Sequence, residues 1–212
     1  MIPATAADPL RLAILLSGSG RTFENLHAEI AAGRLPARIV GVIASRADVR
    51  GCARARELGL PTEVVRRRDF DGAQRYGDAL GEVLARWRTE LAAMAGFLHL
   101  WSVPPALRGR VMNIHPALLP AFGGQGMHGA HVHAAVLASG ARLSGCTVHF
   151  ADDQYDAGPI IVQRAVPVAF EDTPETLAAR VFEQECLAYP EAIRLFAAGR
   201  LEIVGRRVRI RG

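Results

Sequence analysis

The chain has 212 residues, of which 50% are hydrophobic and 22% charged, and its formal net charge is +4. A chain of this size and composition can bury one substantial core, so we expect a single domain over residues 1–212, with residues 1–9 as a flexible N-terminus. The composition excludes a disordered or fibrous protein. The N-terminus lacks the pattern of a secretory signal, and no apolar run is long enough to span a membrane.

Charge and cysteine content narrow the range of partners. Arginine carries the positive charge and favours anionic ligands, but the excess is too small to indicate nucleic acid. We interpret Arg66-Arg67-Arg68 and the tail from Arg206 to Arg211 as solvated faces, the tail as an edge strand. The cysteines are Cys52, Cys146 and Cys186. Because they are scattered and form no CxxC pair, they favour reduced thiols in a cytoplasmic protein over disulfides or a zinc site.

Short apolar runs alternate with amphipathic segments along the chain. Strands are predicted at residues 12–16, 39–44, 62–65, 91–95, 111–115, 145–150 and 160–168. Helices are predicted from about residue 23 to Gly33, at 51–58, 70–87 and 133–138, and from Pro174 onward. This order predicts an α/β fold with a Rossmann-like, mostly parallel central sheet flanked by helices.

A glycine-rich loop follows the first strand: Gly18, Ser19, Gly20, Arg21 and Thr22. A strand, a glycine loop and a helix in this order present backbone N–H groups to an anion, and Arg21 adds a positive charge. The loop has neither GxGxxG nor the Walker lysine, so a single phosphate monoester fits better than a dinucleotide or a nucleoside triphosphate. The structural alternative is a tight turn that needs glycine only for its backbone angles.

Two polar residues lie on one face of the strand at residues 111–115. Asn113 and His115 alternate with Met112 and Ile114, and Pro116 is expected to end the strand. In a parallel sheet this places both polar groups at the carboxyl end of the strand, where open α/β folds bind ligands. A structural histidine at an ordinary strand end is an equal alternative on this fragment alone.

Further polar residues follow in the second half of the chain. Thr147 and His149 share one face of a strand, and the next turn contains Asp152, Asp153 and Asp156. We interpret Asp152 and Asp153 as turn formers. An asparagine, a histidine and an aspartate such as Asp156 on separate loops can support acyl transfer to a substrate amine without a protein nucleophile.

Glu185 falls near the middle of the apolar stripe of the last helix. A carboxylate there needs a partner, which is either a structural arginine or a ligand hydroxyl. Three further polar residues, His128, His131 and His133, have no carboxylate or cysteine at ligand spacing, so we expect no metal site.

Three motifs together resemble the formyltransferase family that uses 10-formyltetrahydrofolate: Asn113-Ile114-His115-Pro116, Thr147-Val148-His149-Phe150 and Tyr155-Asp156-Ala157-Gly158-Pro159. The resemblance implies transfer of a formyl group to the amine of glycinamide ribonucleotide, with small-molecule substrates, no nucleic acid or membrane partner, and a monomer or homodimer. An amino-sugar nucleotide as acceptor, or a catalytically weak folate-binding relative, is the alternative.

The resemblance also assigns site residues. It implies that Asn113, His115 and Asp156 are catalytic and that His149 supports them. The loop from Gly18 to Thr22 would hold the substrate phosphate, and Glu185 the ribose hydroxyls. The implied folate-binding residues are Gly96, Phe97, Leu98, His99, Leu100 and Asp152.

The chain departs from the family pattern in three places. Arg21-Thr22-Phe23 stands where the common pattern has Ser-Asn-Leu, and His99 stands where the folate segment has an arginine. In the loop at residues 120–129, Gln125 and His128 stand where we expect a lysine and a tyrosine. The loop is glycine-rich and well placed to be an active-site loop.

Overall fold

A computed structural model describes residues 8–212 of the protein. Residues 1–7 of the predicted flexible N-terminus therefore lie outside the described residues. Among the helices of residues 8–212, none combines the length and the apolar character that crossing a bilayer requires.

Nine strands and five α-helices make up the described chain. The strands are β1 (Leu10–Leu16), β2 (Ala37–Ala44), β3 (Thr62–Val64), β4 (Leu91–Met94), β5 (Val111–His115), β6 (Leu143–Phe150), β7 (Ile160–Pro167), β8 (Leu201–Val204) and β9 (Arg207–Ile210). The helices are α1 (Arg21–Ala31), α2 (Arg50–Glu57), α3 (Gly72–Arg86), α4 (Ala130–Ala138) and α5 (Pro174–Ala197).

The strands form one sheet in the order β3-β2-β1-β4-β5-β6-β7-β9-β8. Strands β1 to β5 pair in parallel, whereas β6 runs antiparallel to both β5 and β7. The predicted α/β fold with a mostly parallel sheet is confirmed. The carboxyl ends of β1, β4 and β5 meet at one edge of the sheet, and this edge carries the candidate site.

Hydrophobic cores cover both faces of the sheet. Along β1, Leu12, Ile14 and Leu16 face a core built with α1, α2, α4 and α5, while Ala13 and Leu15 face a core built with α3. This two-sided burial explains why the first strand is a continuous apolar run rather than an alternating one. Tyr189 of α5 is also buried, and its hydroxyl donates to the carbonyl oxygens of Met94 and Met112.

Two sequence predictions on secondary structure were wrong. Helix α4 begins at Ala130, three residues before the predicted start at His133. The arginine-rich tail is not at the sheet edge, because β9 lies between β7 and the unpredicted strand β8. The tail arginines Arg209 and Arg211 pair with Glu202 of β8 at 3.2 and 3.1 Å. Cross-strand ion pairing therefore joins the hairpin that ends the sheet.

Candidate active site

A cleft of about 420 Å³ opens at the carboxyl ends of the central strands. Eight of the sixteen residues predicted as site residues, from separate parts of the sequence, line it together: Thr22, Gly96, Phe97, Leu98, Asn113, His115, Asp156 and Glu185. Of the five residues of the glycine-rich loop, Thr22 lines the cleft, and the other four do not. The fold therefore brings groups more than 160 positions apart in the chain into one recess.

Asn113 is at the centre of a hydrogen-bonded group. Its amide Nδ2 lies 3.2 Å from His149 Nε2 and donates to Asp156 Oδ1 at 3.3 Å. Strands β5 and β6 place Asn113 directly opposite His149 in their antiparallel register. The Nδ1 of His149 lies 2.9 Å from the carbonyl oxygen of Phe150, which can only accept, so Nδ1 carries the proton and Nε2 accepts from Asn113.

His115 lies between a carbonyl and a carboxylate. Its Nε2 is 2.8 Å from the carbonyl oxygen of Phe122, so this nitrogen must donate. Its Nδ1 then faces Asp156 Oδ2 at 3.4 Å. Any proton that His115 takes up therefore arrives on Nδ1, beside a carboxylate that balances its charge. His115 and Asp156 can therefore take up and release a proton as a pair.

Burial and neighbouring groups act in opposite directions on the pKa of His115, and also on that of Asp156. Burial lowers the pKa of His115 below its usual value, although Asp156 and the Phe122 carbonyl act against that shift. Burial alone would raise the pKa of Asp156, but His149, His115 and the Gly124 N–H together lower it. At neutral pH the pair is therefore a neutral imidazole beside an ionised carboxylate, which is a proton acceptor.

Backbone groups complete the site, and sequence reasoning missed them. The Gly124 N–H donates to Asp156 Oδ2 at 3.0 Å. Both Phe122 and Asp156 have positive φ angles, 55° and 52°, which are uncommon for residues with side chains and cost on the order of 1–3 kcal/mol each. A Cβ on Gly123 would lie 2.6 Å from Leu119 Cδ2 and 3.2 Å from Asp156 Cβ, so glycine permits this close packing. The glycine-rich composition of residues 120–127 was the sequence signal for this loop.

Thr147 fixes the turn that follows His115. Its hydroxyl donates to the carbonyl oxygen of Ala117 at 2.7 Å and accepts from the Leu119 N–H at 3.0 Å. Gln163 of β7 adds bonds from its amide to the Leu119 carbonyl and the Thr147 hydroxyl. Thr147 therefore stabilises the turn after His115, whereas His149 of the same motif contacts Asn113.

Glu185 is half-buried and lines the cleft. Within residues 8–212 no arginine, lysine or histidine nitrogen lies within 4.0 Å of its carboxylate, so the structural pairing considered from the sequence is absent there. Burial raises the pKa of Glu185 to about 7, and the charge of Arg21 opposes this shift. A carboxylate held in this way is available to a ligand hydroxyl.

The glycine-rich loop packs against the start of α2. Gly20 has a φ angle of 81°, and a Cβ there would lie 2.8 Å from the Gly51 Cα, so glycine is required for structural reasons. A Cβ on Gly18, in contrast, would meet open space. Arg21 begins α1, and its Cζ lies 3.9 Å from the ring centroid of Phe182. The tight-turn interpretation therefore accounts for Gly20 but not for the rest of the loop.

The segment after β4 faces both the cleft and a smaller recess behind Asn113. Phe97 is buried, whereas Leu98 is 43% exposed in the cleft. The backbone N–H of Leu98 donates to the Ser17 hydroxyl, and that of Leu100 donates to the Tyr155 hydroxyl. Residues predicted to bind folate line this smaller recess: Phe97, His99, Leu100 and Asp152. Asp152 also accepts from the Gln154 N–H at 3.0 Å, as expected for a turn former.

The histidines after the active-site loop do not converge. The rings of His128 and His131 meet edge to face with centroids 5.6 Å apart, and His133 is buried on α4. In the part of the chain that the structure describes, no group of three or more histidine, cysteine, aspartate or glutamate side chains could hold a metal ion. Gln125 and His128 both line the cleft. Both departures from the family pattern in this loop therefore face the cleft.

The arginine cluster at residues 66–68 lines a separate recess of about 480 Å³ together with Arg46 and His99. Arg66 and Arg68 are exposed, as a solvated face requires, but Arg67 is half-buried and donates to the Phe70 carbonyl at 2.8 Å. Because His99 lines both this recess and the one behind Asn113, the two recesses are neighbours.

Residues 10–193 match the family model described as formyl transferase. The chain therefore belongs to the formyl transferase family. The phosphoribosylglycinamide formyltransferase of Haemophilus influenzae is 33% identical over 195 residues, which cover 91% of this chain and 90% of that protein. The chloroplastic phosphoribosylglycinamide formyltransferase of Arabidopsis thaliana is 39% identical over 208 residues, which cover 95% and 70%.

A longer relative and a solved structure agree with this assignment. The trifunctional purine biosynthetic protein adenosine-3 of Gallus gallus is 40% identical over 201 residues, and the chain spans only 19% of its length. The crystal structure of glycinamide ribonucleotide transformylase 1 from Symbiobacterium toebii has a TM-score of 0.89 and 40% identity. The alignment covers 97% of this chain and 96% of that one.

Proposed function

We propose that the protein transfers the formyl group of 10-formyltetrahydrofolate to the amine of glycinamide ribonucleotide, a step of purine synthesis. The observation that carries this proposal is the meeting of Asn113, His115 and Asp156 in the main cleft, where Asn113 donates to Asp156 and His115 Nδ1 faces the same carboxylate at 3.4 Å. The relatives with that activity in their names support it at 33–40% identity over most of the chain. Asn113, His115, Asp156 and His149 are the residues to which we assign the chemistry.

The substrate amine attacks the formyl carbon, which gives a tetrahedral intermediate with a negative oxygen. On substrate binding, Asn113 gives up its 3.3 Å bond to Asp156 and donates that N–H to this oxygen, a contact typically worth about 3–4 kcal/mol to the transition state where such a donor has been removed. The Asp156 carboxylate and His115 Nδ1, which face each other at 3.4 Å, together accept the proton that the amine loses. The bond from the formyl carbon to the folate nitrogen then breaks, and that nitrogen takes the proton. The products are the formylated amide and tetrahydrofolate.

We place the ribose phosphate at the end of the cleft where Thr22 and Glu185 lie. The backbone N–H groups at the start of α1 and the charge of Arg21 suit a phosphate, which is held by residues 18–22. Glu185 accepts hydrogen bonds from the ribose hydroxyls through its carboxyl oxygens. The sugar substrate thus supplies the partner that this half-buried carboxylate lacks among the described residues.

The folate occupies the opposite side of Asn113, along residues 96–100 and near Asp152. Its glutamate part carries carboxylates, and the recess that adjoins His99 contains four arginines: Arg46, Arg66, Arg67 and Arg68. Guanidinium groups bind carboxylates bidentately, so we assign this recess to the glutamate part. His99, which replaces an arginine of the family pattern, lies between the two parts of the folate.

The deciding experiment is an assay of formyl transfer with the purified protein. Release of tetrahydrofolate from 10-formyltetrahydrofolate should require glycinamide ribonucleotide and should yield one formylated amide for each folate released. Release at the same rate without the amine would show a hydrolase instead. Release only with an amino-sugar nucleotide would show a different acceptor.

We also propose a reducing compartment such as the cytoplasm. Cys52, Cys146 and Cys186 are all free thiols, and the first two are buried. Burial raises the pKa of Cys146 to about 12, which keeps this thiol protonated and unreactive. Labelling of the unfolded protein with a thiol reagent, immediately after cell lysis, should detect three thiols.

A further inference from the structure

The side chain of Arg21 is held against an aromatic ring. Its guanidinium carbon lies 3.9 Å from the centroid of the Phe182 ring, which is cation–π geometry. Within residues 8–212 no carboxylate lies within 4.0 Å of this guanidinium. The carboxylate of Glu24, one turn along α1, is 3.4 Å from Arg50 instead. The aromatic ring is therefore the partner that fixes the orientation of Arg21.

The stack is part of a fixed contact between two helices. Four residues after Arg21, the amide of Asn25 donates to the backbone carbonyl of Cys186 at 3.1 Å, and Cys186 is four residues after Phe182. The equal spacing shows that α1 and α5 run in the same direction where they touch. The Asn25–Cys186 hydrogen bond therefore holds the two helices so that, one turn closer to their N-termini, the Arg21 guanidinium lies over the Phe182 ring.

A guanidinium stacked by its face directs its N–H groups outward in its own plane. Thr22 follows Arg21 in the chain and lines the cleft, and Glu185 is one turn beyond Phe182 on the same helix and lines it as well. The Arg21–Phe182 stack therefore lies beside the end of the cleft to which we assign the ribose phosphate. Arg21 stands where the family pattern named above has a serine.

We infer that Phe182 is a positioning residue, which holds the Arg21 guanidinium edge-on to the substrate phosphate. This inference rests on the proposed function and deepens it, because it names the Arg21 guanidinium, held on the Phe182 ring, as a binding group for the substrate phosphate. A flexible arginine would lose side-chain entropy on binding a phosphate, and stacking on a ring removes most of that freedom beforehand.

The test compares Phe182→Leu, which keeps an apolar side chain but removes the ring face, with Phe182→Tyr, which keeps it. Ribose 5-phosphate serves as the probe, through its inhibition constant against glycinamide ribonucleotide. We expect Phe182→Leu to raise this constant about two- to five-fold, and the KM for glycinamide ribonucleotide by the same factor. The tyrosine variant should resemble the parent, and the KM for the folate co-substrate should stay constant in both.

A double-mutant cycle with Arg21→Ala separates positioning from packing. In the Arg21→Ala background, Phe182→Leu should have no further effect on the inhibition constant. If Phe182→Leu lowers only the melting temperature while Arg21→Ala weakens the probe, the inference is overturned and the proposed function stands. If Arg21→Ala leaves the probe unaffected, Arg21 does not bind phosphate and the inference fails as well. If ribose 5-phosphate does not compete in the parent protein, the proposed place of the sugar phosphate is wrong.

Discussion

Glu185→Gln should stabilise the protein at alkaline pH while weakening its binding of the sugar substrate. The carboxylate of Glu185 is half-buried on the apolar stripe of α5, and burial raises its pKa from 4.5 to about 7. In the unfolded chain this carboxyl ionises near 4.5. The folded state therefore binds a proton that the unfolded state has lost, and stability falls as the pH rises through this window.

The size of the effect follows from the shift. A displacement from 4.5 to about 7 corresponds to roughly 3 kcal/mol at 1.36 kcal/mol per unit, and solvent screening of a partly exposed carboxylate reduces this to about 1–3 kcal/mol. Glutamine keeps the shape of the side chain and removes the charge. We therefore expect Glu185→Gln to be more stable by that amount at pH 8 and equal to the parent at pH 4.5. An increase of about 2 kcal/mol raises the melting temperature of a chain of this size by about 4–8 °C.

The assay is urea unfolding of both proteins at pH 5, 6, 7 and 8, without ligand. The difference in the free energy of unfolding should grow with pH and level off above pH 7. Glu183→Gln is the matched control, because Glu183 is exposed on the same helix, and it should show no such trend. The KM for glycinamide ribonucleotide should rise in Glu185→Gln, since glutamine is a weaker acceptor for hydroxyls. Equal stability of Glu185→Gln and the parent at every pH would refute the view of Glu185 as a desolvated, unpaired carboxylate.

Four further results should follow from the geometry. Asp156→Asn should lower kcat at least about 100-fold, because His115 loses the charge that balances its proton, and inhibition by ribose 5-phosphate should persist. Since burial lowers the pKa of His115, kcat at saturating substrates should fall with decreasing pH only below pH 6.5, and a midpoint above that value would contradict the assignment of His115 as base. Gly123→Ala should reduce kcat by displacing Asp156. A lower melting temperature with an unchanged kcat would contradict this prediction. Arg67→Gln should raise the KM for the folate co-substrate. The control is Arg75→Gln, because Arg75 is exposed beside Asp71, and it should leave this KM unchanged. Equal KM values for the two variants would show that the arginine recess is not part of the folate site.

Local sequence determined the order and type of most elements. The apolar runs that became β1 and β4 are buried on both faces, and such runs are readable because burial from both sides leaves no polar position. The alternation in β5 and β6 likewise assigned Asn113 and His149 to defined faces of their strands. The tail strand was misplaced, because the position of a strand within a sheet depends on its pairing partner, and β8 has only four residues.

Tertiary structure decided how the site is protonated and held. The donor role of His115 Nε2 depends on a backbone carbonyl of Phe122, and Asp156 depends on a backbone N–H of Gly124. Backbone groups are the same in every residue, so no sequence pattern marks them. The sequence did place Glu185 on an apolar stripe, yet only the packing of α5 against α1 showed that the described residues provide no partner for it. The sequence by itself thus determined which side chains are present and which faces they take. The packing of distant segments decided which atoms meet, because hydrogen bonds and pKa values depend on distances of a few ångströms that local patterns do not encode.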